Sequence, residues 1–301
     1  MAEEQPAVGV TPSHEAEVGG LGVRRALPQR TRRTVGAWCF VDHFGPVGAD
    51  LAAAMQVGPH PHIGLQTVTW LLEGEVLHTD SLGSEQVIRP GQLNLMTAGA
   101  GVAHAESAHE NASGAHGVQL WVALPDETRA GPAAFEHLAE LPQVGLDAVT
   151  ATVLVGELAG IRSPARVDTP IVGADLAVAP GDAAIPLDPS WEHAVVVLDG
   201  AVELDGVDVA PGALAYLDLG RDEVAVRAAA PARALLLGGA PFGEATLIWW
   251  NFVARTRDEV AKARDDWEAG ADGFATERFG TVESPLARIP APEVPAGLKA
   301  R

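Results

Sequence analysis

Basic residues are scarce in this sequence, and lysine is the scarcest, occurring only as Lys262 and Lys299. Lys and Arg together number 20 against 40 Asp and Glu, which gives a formal net charge of −20 at pH 7. Nucleic acids and anionic membranes bind clustered positive charge, so this balance argues against direct binding to either. Arginines are concentrated in one stretch, residues 24–33. We interpret it as a solvated positive patch, with a local anion site as the alternative.

Cysteine and long apolar runs are also nearly absent. Cys39 is the single cysteine and cannot form an intramolecular disulfide, so the sequence argues against a secreted disulfide scaffold. We interpret Cys39, between Trp38 and Phe40, as a core residue. Apolar runs such as 194–198 and 234–237 are far too short to span a bilayer, and the N-terminus lacks a signal-peptide pattern. The expected location is the cytoplasm, without membrane association.

Short strands separated by turn signals dominate what is present. With 301 residues, 47% of them apolar, the chain has the length and composition of about two folded domains. Residues 66–77 are rich in β-branched, aromatic and aliphatic types and are interrupted at Glu73-Gly74, which predicts a strand and a turn. Turn signals follow at residues 80–84 and at Arg89-Pro90-Gly91. This punctuation favours a β-sandwich or barrel.

The same pattern returns in the second half of the chain. Leu72-Glu73-Gly74 aligns with Leu198-Asp199-Gly200, and Pro90-Gly91-Gln92-Leu93 aligns with Pro211-Gly212-Ala213-Leu214. We therefore predict an all-β protein of two β-barrels. A turn-rich stretch ending near Pro142 predicts the domain boundary, which gives domains 1–142 and 143–301.

The C-terminal region breaks this pattern. Thr256 and Glu259 have the spacing of a helix capping box ahead of apolar residues at helical spacing, which predicts one short helix from about Arg257 to Ala269. We interpret its apolar stripe as core packing. The final residues, 285–301, are rich in Pro and Ala and are predicted to form a loosely ordered tail or a strap.

Two histidine-containing motifs carry the chemistry. His60-Pro61-His62 places two imidazoles at i and i+2, which lie on one face of an extended strand. His104-Ala105-Glu106 repeats the spacing with a carboxylate as its second member. Three imidazoles and one carboxylate suit iron(II), manganese, nickel, copper or zinc, and no thiolate is available nearby. One His-x-His motif arises often by chance, so the prediction depends on the pair of motifs.

The residues around these motifs carry a family resemblance. Residues 59–106 resemble the pirin family of the cupin superfamily, and so do Val41-Asp42-His43-Phe44-Gly45-Pro46 and Gln119-Leu120-Trp121-Val122. The resemblance is dense over residues 35–126 and thinner afterwards, although residues 249–253 also look like a bacterial pirin-like branch.

The resemblance implies a bicupin, which is a fold of two cupin β-barrels, with one metal ion in the N-terminal barrel. The matching ligands in this chain are His60, His62, His104 and Glu106. Family members are associated with iron(II). Some are similar in activity to quercetin 2,3-dioxygenases, and others are described as regulators that act by protein contact.

One position departs from the family pattern. Many pirins carry Glu four residues after the His-x-His motif, where this chain has Gln66. A glutamine cannot act as a general base and is a poorer metal ligand than a carboxylate. Glu106 is then the only obvious carboxylate at the metal, and we predict that it serves both as ligand and as catalytic proton acceptor.

The second copy of the repeat lacks the ligands. The positions aligned with the His-x-His motif are Pro186 and Asp188, and the segment aligned with the second motif, residues 221–226, contains no histidine. His193 stands alone and is interpreted as structural. The C-terminal domain is therefore predicted to be a degenerate cupin without metal.

Further candidates surround the predicted metal. The pocket wall is predicted to contain Asp42, Phe44, Gln66, Gln119 and Trp121, although packing inside a barrel explains the aromatic residues equally well. Four more histidines are interpreted as surface groups or as groups that support the ligands: His78, His109, His116 and His137. Of these, His109 is the strongest candidate for support.

Two classes of function stay open. An oxygenase would take a flavonol-like or enolic aromatic substrate and O2, with Glu106 or a bound water accepting the substrate's hydroxyl proton. An iron-dependent regulatory module would bind a protein partner with little turnover. A pocket that admits a planar aromatic favours the first, and a capped metal beside an exposed apolar patch favours the second. A metal-dependent isomerase rests on fold analogy alone and ranks last.

Overall fold

The computed structural model of the chain describes residues 8–48, 50, 56–109, 114–270 and 276–300. The described residues form two compact units, drawn from Met1–Ala16, Arg24–His43 and Glu140–Phe242 for unit 1 and from Glu17–Val23, Phe44–Ala139 and Gly243–Arg301 for unit 2. Strand β1 (Val8–Pro12) lies in unit 1, and the divisions between units fall inside β2 (His14–Val18), β3 (Leu21–Leu27) and β4 (Trp38–Gly48). Within the described ranges, no helix has the length and apolarity needed to cross a membrane.

Two sheets of unit 2 form what we call the N-terminal barrel. Its strands are β5 (Gln56–His62), β6 (Leu65–Gly74), β7 (Val76–Asp80), β8 (Glu85–Ile88), β9 (Leu93–Thr97), β10 (Val102–Ala108), β11 (Gly114–Ala123) and β12 (Ala134–Leu138). One sheet has the order β5-β10-β7-β8, and the other contains β12-β9-β6-β11. Gly74 and Gly91 adopt positive φ angles of 89° and 83° at two of the predicted turns.

Unit 1 holds the C-terminal barrel. Its strands are β13 (Gln143–Leu146), β14 (Val149–Leu158), β15 (Ile161–Arg162), β16 (Ile171–Val178), β17 (Gly181–Pro186), β18 (Glu192–Asp199), β19 (Val202–Leu204), β20 (Val207–Val209), β21 (Ala213–Leu217), β22 (Glu223–Ala228) and β23 (Ala232–Gly239). The order β21-β18-β23 repeats the order β9-β6-β11. The prediction of two β-barrels related by an internal repeat is confirmed.

The C-terminal segment packs within unit 2. It contains β24 (Leu247–Trp249), β25 (Phe252–Ala254) and helix α1 (Arg257–Glu268). An apolar cluster joins it to Ile63 and Ala103. Residues 285–300 act as a strap, because the backbone N–H of Ile289 donates to the Pro59 carbonyl (2.9 Å) and Trp267 Nε1 donates to the Ile289 carbonyl (2.9 Å).

This packing differs from the predicted domains 1–142 and 143–301. Contacts place residues 243–270 and 276–300 with the N-terminal barrel rather than with the C-terminal one. The physical reason is burial of apolar side chains, since Phe252, Val260 and Trp267 are 0%, 0% and 4% exposed in this cluster. The boundary near Pro142 remains a prediction for the contiguous family domains.

Helix α1 begins at the predicted capping box. Thr256 is the N-cap, and its Oγ1 accepts a hydrogen bond from the Glu259 backbone N–H (3.2 Å). We expect Thr256→Ala to lower the free energy of unfolding by about 1 kcal/mol, because one N–H of the first turn loses its partner. Thermal unfolding should show the loss, and Thr256→Ser, which keeps the hydroxyl, is the control. Equal melting temperatures for the Ala and Ser variants would contradict this role.

Candidate metal centre

The predicted ligands lie on one sheet of the N-terminal barrel. His60 and His62 lie on β5, and the antiparallel neighbour β10 places His104 directly opposite His60. A register shift on β10 follows His104, so that Glu106 is opposite Val57. Because residues two apart share a face of a strand, both motifs present their side chains together. One nitrogen from each of His60, His62 and His104 lies within 4.8 Å of the others.

Backbone carbonyls fix the orientation of two of these imidazoles. His60 Nδ1 lies 2.9 Å from the Gly58 carbonyl, and His62 Nδ1 lies 3.0 Å from the Asn251 carbonyl. A carbonyl only accepts, so both Nδ1 atoms carry the proton, and each Nε2 keeps a free lone pair. Burial lowers the pKa of His60 to about 4, and burial followed by the neighbouring histidines lowers the pKa of His62 well below its usual value. Both rings are therefore neutral, as metal ligands must be.

A cation fits the point where these rings meet. His62 Nε2 lies 3.0 Å from His104 Nε2, and burial followed by the neighbouring His60 and His62 rings holds the pKa of His104 well below its usual value. With His62 protonated on Nδ1, its Nε2 lone pair faces the His104 nitrogen. Two lone pairs at this distance repel each other unless a positive centre lies between them. The buried, neutral and convergent donor set is thus the kind that binds a divalent metal.

A second pair of residues lies behind His104. On β7, the other neighbour of β10, Asp80 is opposite His104 and His78 is opposite Glu106. His78 Nδ1 lies 3.3 Å from His104 Nδ1, and His78 Nε2 lies 3.2 Å from Asp80 Oδ2. The carboxylate accepts the Nε2–H of His78, which leaves His78 Nδ1 to accept the Nδ1–H of His104. With the protons placed in this way, the Nε2 lone pair of His104 faces His62.

His104, His78 and Asp80 form a chain of hydrogen bonds, and Asp80, at its end, is held by the backbone of a turn. Asp80 Oδ1 accepts the backbone N–H groups of Leu82 and Ser84, both at 2.9 Å. Burial alone would raise the pKa of Asp80, but the hydrogen bonds from His78 and Ser84 bring it below its usual value. Asp80 is therefore an ionised, fixed acceptor, and it holds His78 in one tautomer.

Glu106 lies next to this pair. One carboxylate oxygen of Glu106 lies within 4.8 Å of ligating nitrogens of His78 and His104. Burial raises the pKa of Glu106, and the neighbouring His78 ring and the nearby Thr69 hydroxyl oppose the rise. The Thr69 hydroxyl also lies 2.8 Å from Gln119 Oε1. A short polar chain therefore connects Gln119 of the predicted pocket wall to the carboxylate.

The other predicted wall residues lie in different surroundings. The Trp121 ring packs edge-on against His62, with centroids 5.3 Å apart. Phe44 is buried against Gly117, where a Cβ would lie 2.9 Å from the Phe44 ring. Gln66 lies three positions before Thr69 on β6 and so points to the opposite face, where its Nε2 donates to Thr97 Oγ1 (3.0 Å). Asp42, in unit 1, forms a two-pronged ion pair with Arg25 (2.7 Å for each bond).

Sequence reasoning named His78 as a surface or supporting group but did not recognise Asp80 as its partner. His78-Thr79-Asp80 has the same i, i+2 spacing as the two ligand motifs, and that spacing was the signal that could have found it. His109, favoured from the sequence for a supporting role, instead lies 2.9 Å from Glu75. His137 lies 2.7 Å from Asn94 Oδ1.

Comparison with known proteins identifies the family. The pirin family matches residues 20–122, and the pirin C-terminal cupin domain matches residues 174–273. The chain is 37% identical to a pirin-like protein of Caulobacter vibrioides, an alignment that covers 84% of the chain and 90% of the relative. The chain belongs to the pirin family. Human pirin is 30% identical, with 95% of the chain and 99% of human pirin covered.

Two further pirin relatives are closer to this chain. A Pseudomonas aeruginosa protein, provisionally named a quercetin 2,3-dioxygenase, is 48% identical, with 93% of the chain and 88% of that protein covered. The crystal structure of quercetin 2,3-dioxygenase from Acinetobacter baumannii superposes with a TM-score of 0.93 at 44% identity and covers 97% of each chain. The predicted bicupin fold is confirmed. The pirin relatives and the histidine-rich site together imply a divalent metal ion.

The chain of hydrogen bonds behind His104 is expected to affect the metal affinity of this pirin. We expect Asp80→Asn to weaken metal binding by roughly 10- to 100-fold, the range for residues that orient metal ligands. Asn keeps the oxygen that caps the Leu82 and Ser84 N–H groups, but its amide can donate to His78 and reverse the tautomer. Competition titration with a chelator measures the effect. Glu85→Gln, an exposed change on the neighbouring strand β8, is the control, and equal affinity for both variants would contradict the orienting role.

Proposed function

We propose that this pirin is a metal-dependent oxidoreductase of the quercetin 2,3-dioxygenase type, acting on a flavonol-like or enolic aromatic substrate with O2. Its metal is one iron(II) ion, held by His60, His62, His104 and Glu106. The observation that carries the proposal is the cluster of three buried, neutral imidazoles, with a carboxylate oxygen of Glu106 within 4.8 Å of a His104 nitrogen. The names of the two close relatives support the reaction. Manganese, nickel, copper and zinc are the alternative metals for this donor set.

The side chains of this site have separate tasks in such a reaction. When bound, the metal ion supplies a Lewis acid for a substrate oxygen and the redox partner for O2. The Gly58 and Asn251 carbonyls hold the His60 and His62 rings in their ligating orientation. Glu106 accepts the proton of the substrate hydroxyl at a carboxylate oxygen.

The surrounding side chains limit the access of water. His60, His62 and His104 are 6%, 1% and 1% exposed, and Trp121 covers an edge of the His62 ring. Electrostatic interactions strengthen where water is excluded, and this condition holds at the three imidazoles, whereas Glu106 itself is half-buried. Gln66 takes no part in this scheme, since its amide is bonded to Thr97 on the other face of β6.

The regulatory alternative predicts an exposed apolar patch. The exposed large apolar side chains among the described residues are Val10, Val18, Leu82, Val167 and Leu219. They belong to separate strands and loops of the sequence. Single exposed apolar residues of this kind are ordinary on a protein surface. The surface therefore gives no specific support to a partner-binding role.

The deciding experiment measures oxygen uptake. Metal-free protein is reconstituted anaerobically with iron(II), and O2 consumption with quercetin is followed for the wild type and for His62→Ala. Uptake that requires iron and disappears in the variant is the expected result. Tight iron binding without uptake would overturn the reaction and favour a regulatory role. Failure to bind any divalent metal would overturn the four-ligand assignment.

A further inference from the structure

The C-terminal barrel contains a cavity of its own. Its volume is ≈ 540 Å³, within the range of small-molecule pockets. The residues that line it all belong to unit 1. Three groups of them matter here: the aliphatic side chains of Leu158, Val172 and Leu236, the rings of Trp191 and His193, and the polar residues Glu157, Arg162 and Asp188.

The internal repeat relates this cavity to the metal-ligand positions of the N-terminal barrel. The alignment of Gly74 with Gly200 places Pro186 and Asp188 at the positions of the His60-Pro61-His62 motif, and both line the cavity. The cavity thus stands in the C-terminal barrel at the sequence positions that carry metal ligands in the N-terminal one. Among the described residues, the clusters of metal-ligating groups include none of its lining residues. The cavity is therefore present at these positions without the ligands.

His193 is built into the inner wall of this barrel. It shares a face of β18 with Val195 and Val197, both of the barrel core, and is opposite Gly238 of β23. A Cβ at position 238 would lie 2.4 Å from the His193 ring, so only glycine leaves room for the imidazole there. Gly238 therefore leaves the space that the His193 ring occupies.

The His193 side chain has an unused hydrogen-bonding atom. The residue is 2% exposed, and apart from one backbone interaction with Trp191 its ring has no hydrogen-bond partner among the described residues, so one of its two nitrogens is left without a partner. Burial lowers the pKa of His193 to about 4, against smaller opposite effects of Asp188 and of the Trp191 backbone, so the ring is neutral near pH 7. A buried polar atom without a partner is costly, and a ligand that supplies the partner recovers that cost. A hydroxyl group suits either tautomer, because it both donates and accepts.

The rest of the lining selects an uncharged, flat molecule. The Trp191 ring lies at 24° to the His193 ring, with centroids 6.4 Å apart, and offers an aromatic wall. Arg162 is already paired with Glu157 (2.7 Å). The Asp188 carboxylate leaves a negative charge at the rim, where it accepts two hydrogen bonds from Ser190. An anionic ligand would meet this charge and that of the acidic chain.

We infer that the C-terminal barrel of this protein binds an uncharged phenol of one or two rings, with its ring against Trp191 and its hydroxyl on His193. This site is separate from the proposed metal centre and needs no metal. It gives the degenerate barrel a binding role of its own.

The test uses 2-naphthol as the probe and the full-length, metal-loaded protein with 13C-labelled methyl groups. Chemical shifts of the Val172 and Leu236 methyls should move with a Kd on the order of 0.1–1 mM, as expected for a ligand of about eleven heavy atoms. His193→Leu should weaken binding about three- to tenfold, the worth of one hydrogen bond. His109→Ala, which changes a residue of the other barrel outside the metal centre, should leave the affinity unchanged.

Two comparisons make the result decisive. The half-buried Trp191→Ala variant should also weaken binding, and it tests the site even where His193→Leu does not fold. 2-Naphthoate, the anionic counterpart, should bind more weakly than 2-naphthol. The inference is overturned if the Val172 and Leu236 methyls do not respond, if 2-naphthoate binds more tightly, or if neither His193→Leu nor Trp191→Ala binds more weakly than His109→Ala. None of these outcomes bears on oxygen uptake at the metal centre.

Discussion

His104→Ala is expected to lower the affinity of this pirin for a divalent metal by at least about 100-fold, the share of one ligand among four in a typical protein metal site. His104 belongs to both clusters of metal-ligating groups that the described residues form. Its loss removes one nitrogen beside His62 and also separates His78 and Asp80 from the ligands they support. We expect a larger effect than for His60→Ala, which breaks only the contact with the Gly58 carbonyl behind the ligand.

Metal content and competition titration under anaerobic conditions measure this loss. His109→Ala is the matched control, because it removes a histidine just beyond β10 whose ring pairs with Glu75 rather than with the cluster. Circular dichroism of the metal-free forms checks that both variants fold. If His104→Ala keeps the metal as tightly as His109→Ala does, the ligand set is wrong.

The spacing within the two motifs was enough to predict the candidate ligands. It was not enough to predict that the two strands that carry them are neighbours in the sheet. The i, i+2 pattern places His60 with His62 and His104 with Glu106 on the faces of two strands. Only the register of β5 and β10, with its shift after His104, brings the two faces together. Strand register between segments more than 40 residues apart depends on the whole barrel, so sequence spacing alone does not determine it. The family resemblance supplied that step.

Two outcomes show what local patterns leave open. Gln66 was expected near the metal because it follows the His-x-His motif by four residues, yet it faces away, since β6 begins at Leu65 and fixes the alternation anew. His78 and Asp80 became part of the site through the position of β7 beside β10. The sequence contained their spacing, but one strand cannot reveal its neighbours in a sheet.

Glu106→Gln is expected to reduce kcat for quercetin by roughly 100- to 10,000-fold, the usual contribution of a positioned general base. The substitution keeps the size of the side chain and one of its two oxygens, but it removes the negative charge that takes up the substrate proton. Metal binding should weaken as well, so the assay requires saturating iron(II). Under those conditions, a loss in kcat with a small change in KM separates proton transfer from substrate binding.

Gln66→Glu, combined with Glu106→Gln, tests whether a carboxylate at position 66 can replace the one at position 106. It restores the carboxylate that many pirins carry after the His-x-His motif, but on the face of β6 that bonds to Thr97. Combined with Glu106→Gln, it should therefore not rescue turnover, because a carboxylate there does not reach the proton that Glu106 accepts. Rescue by the double variant would mean that the base is supplied from position 66 after all. Full activity of metal-saturated Glu106→Gln would instead remove the carboxylate from the mechanism and leave a bound water as the proton acceptor.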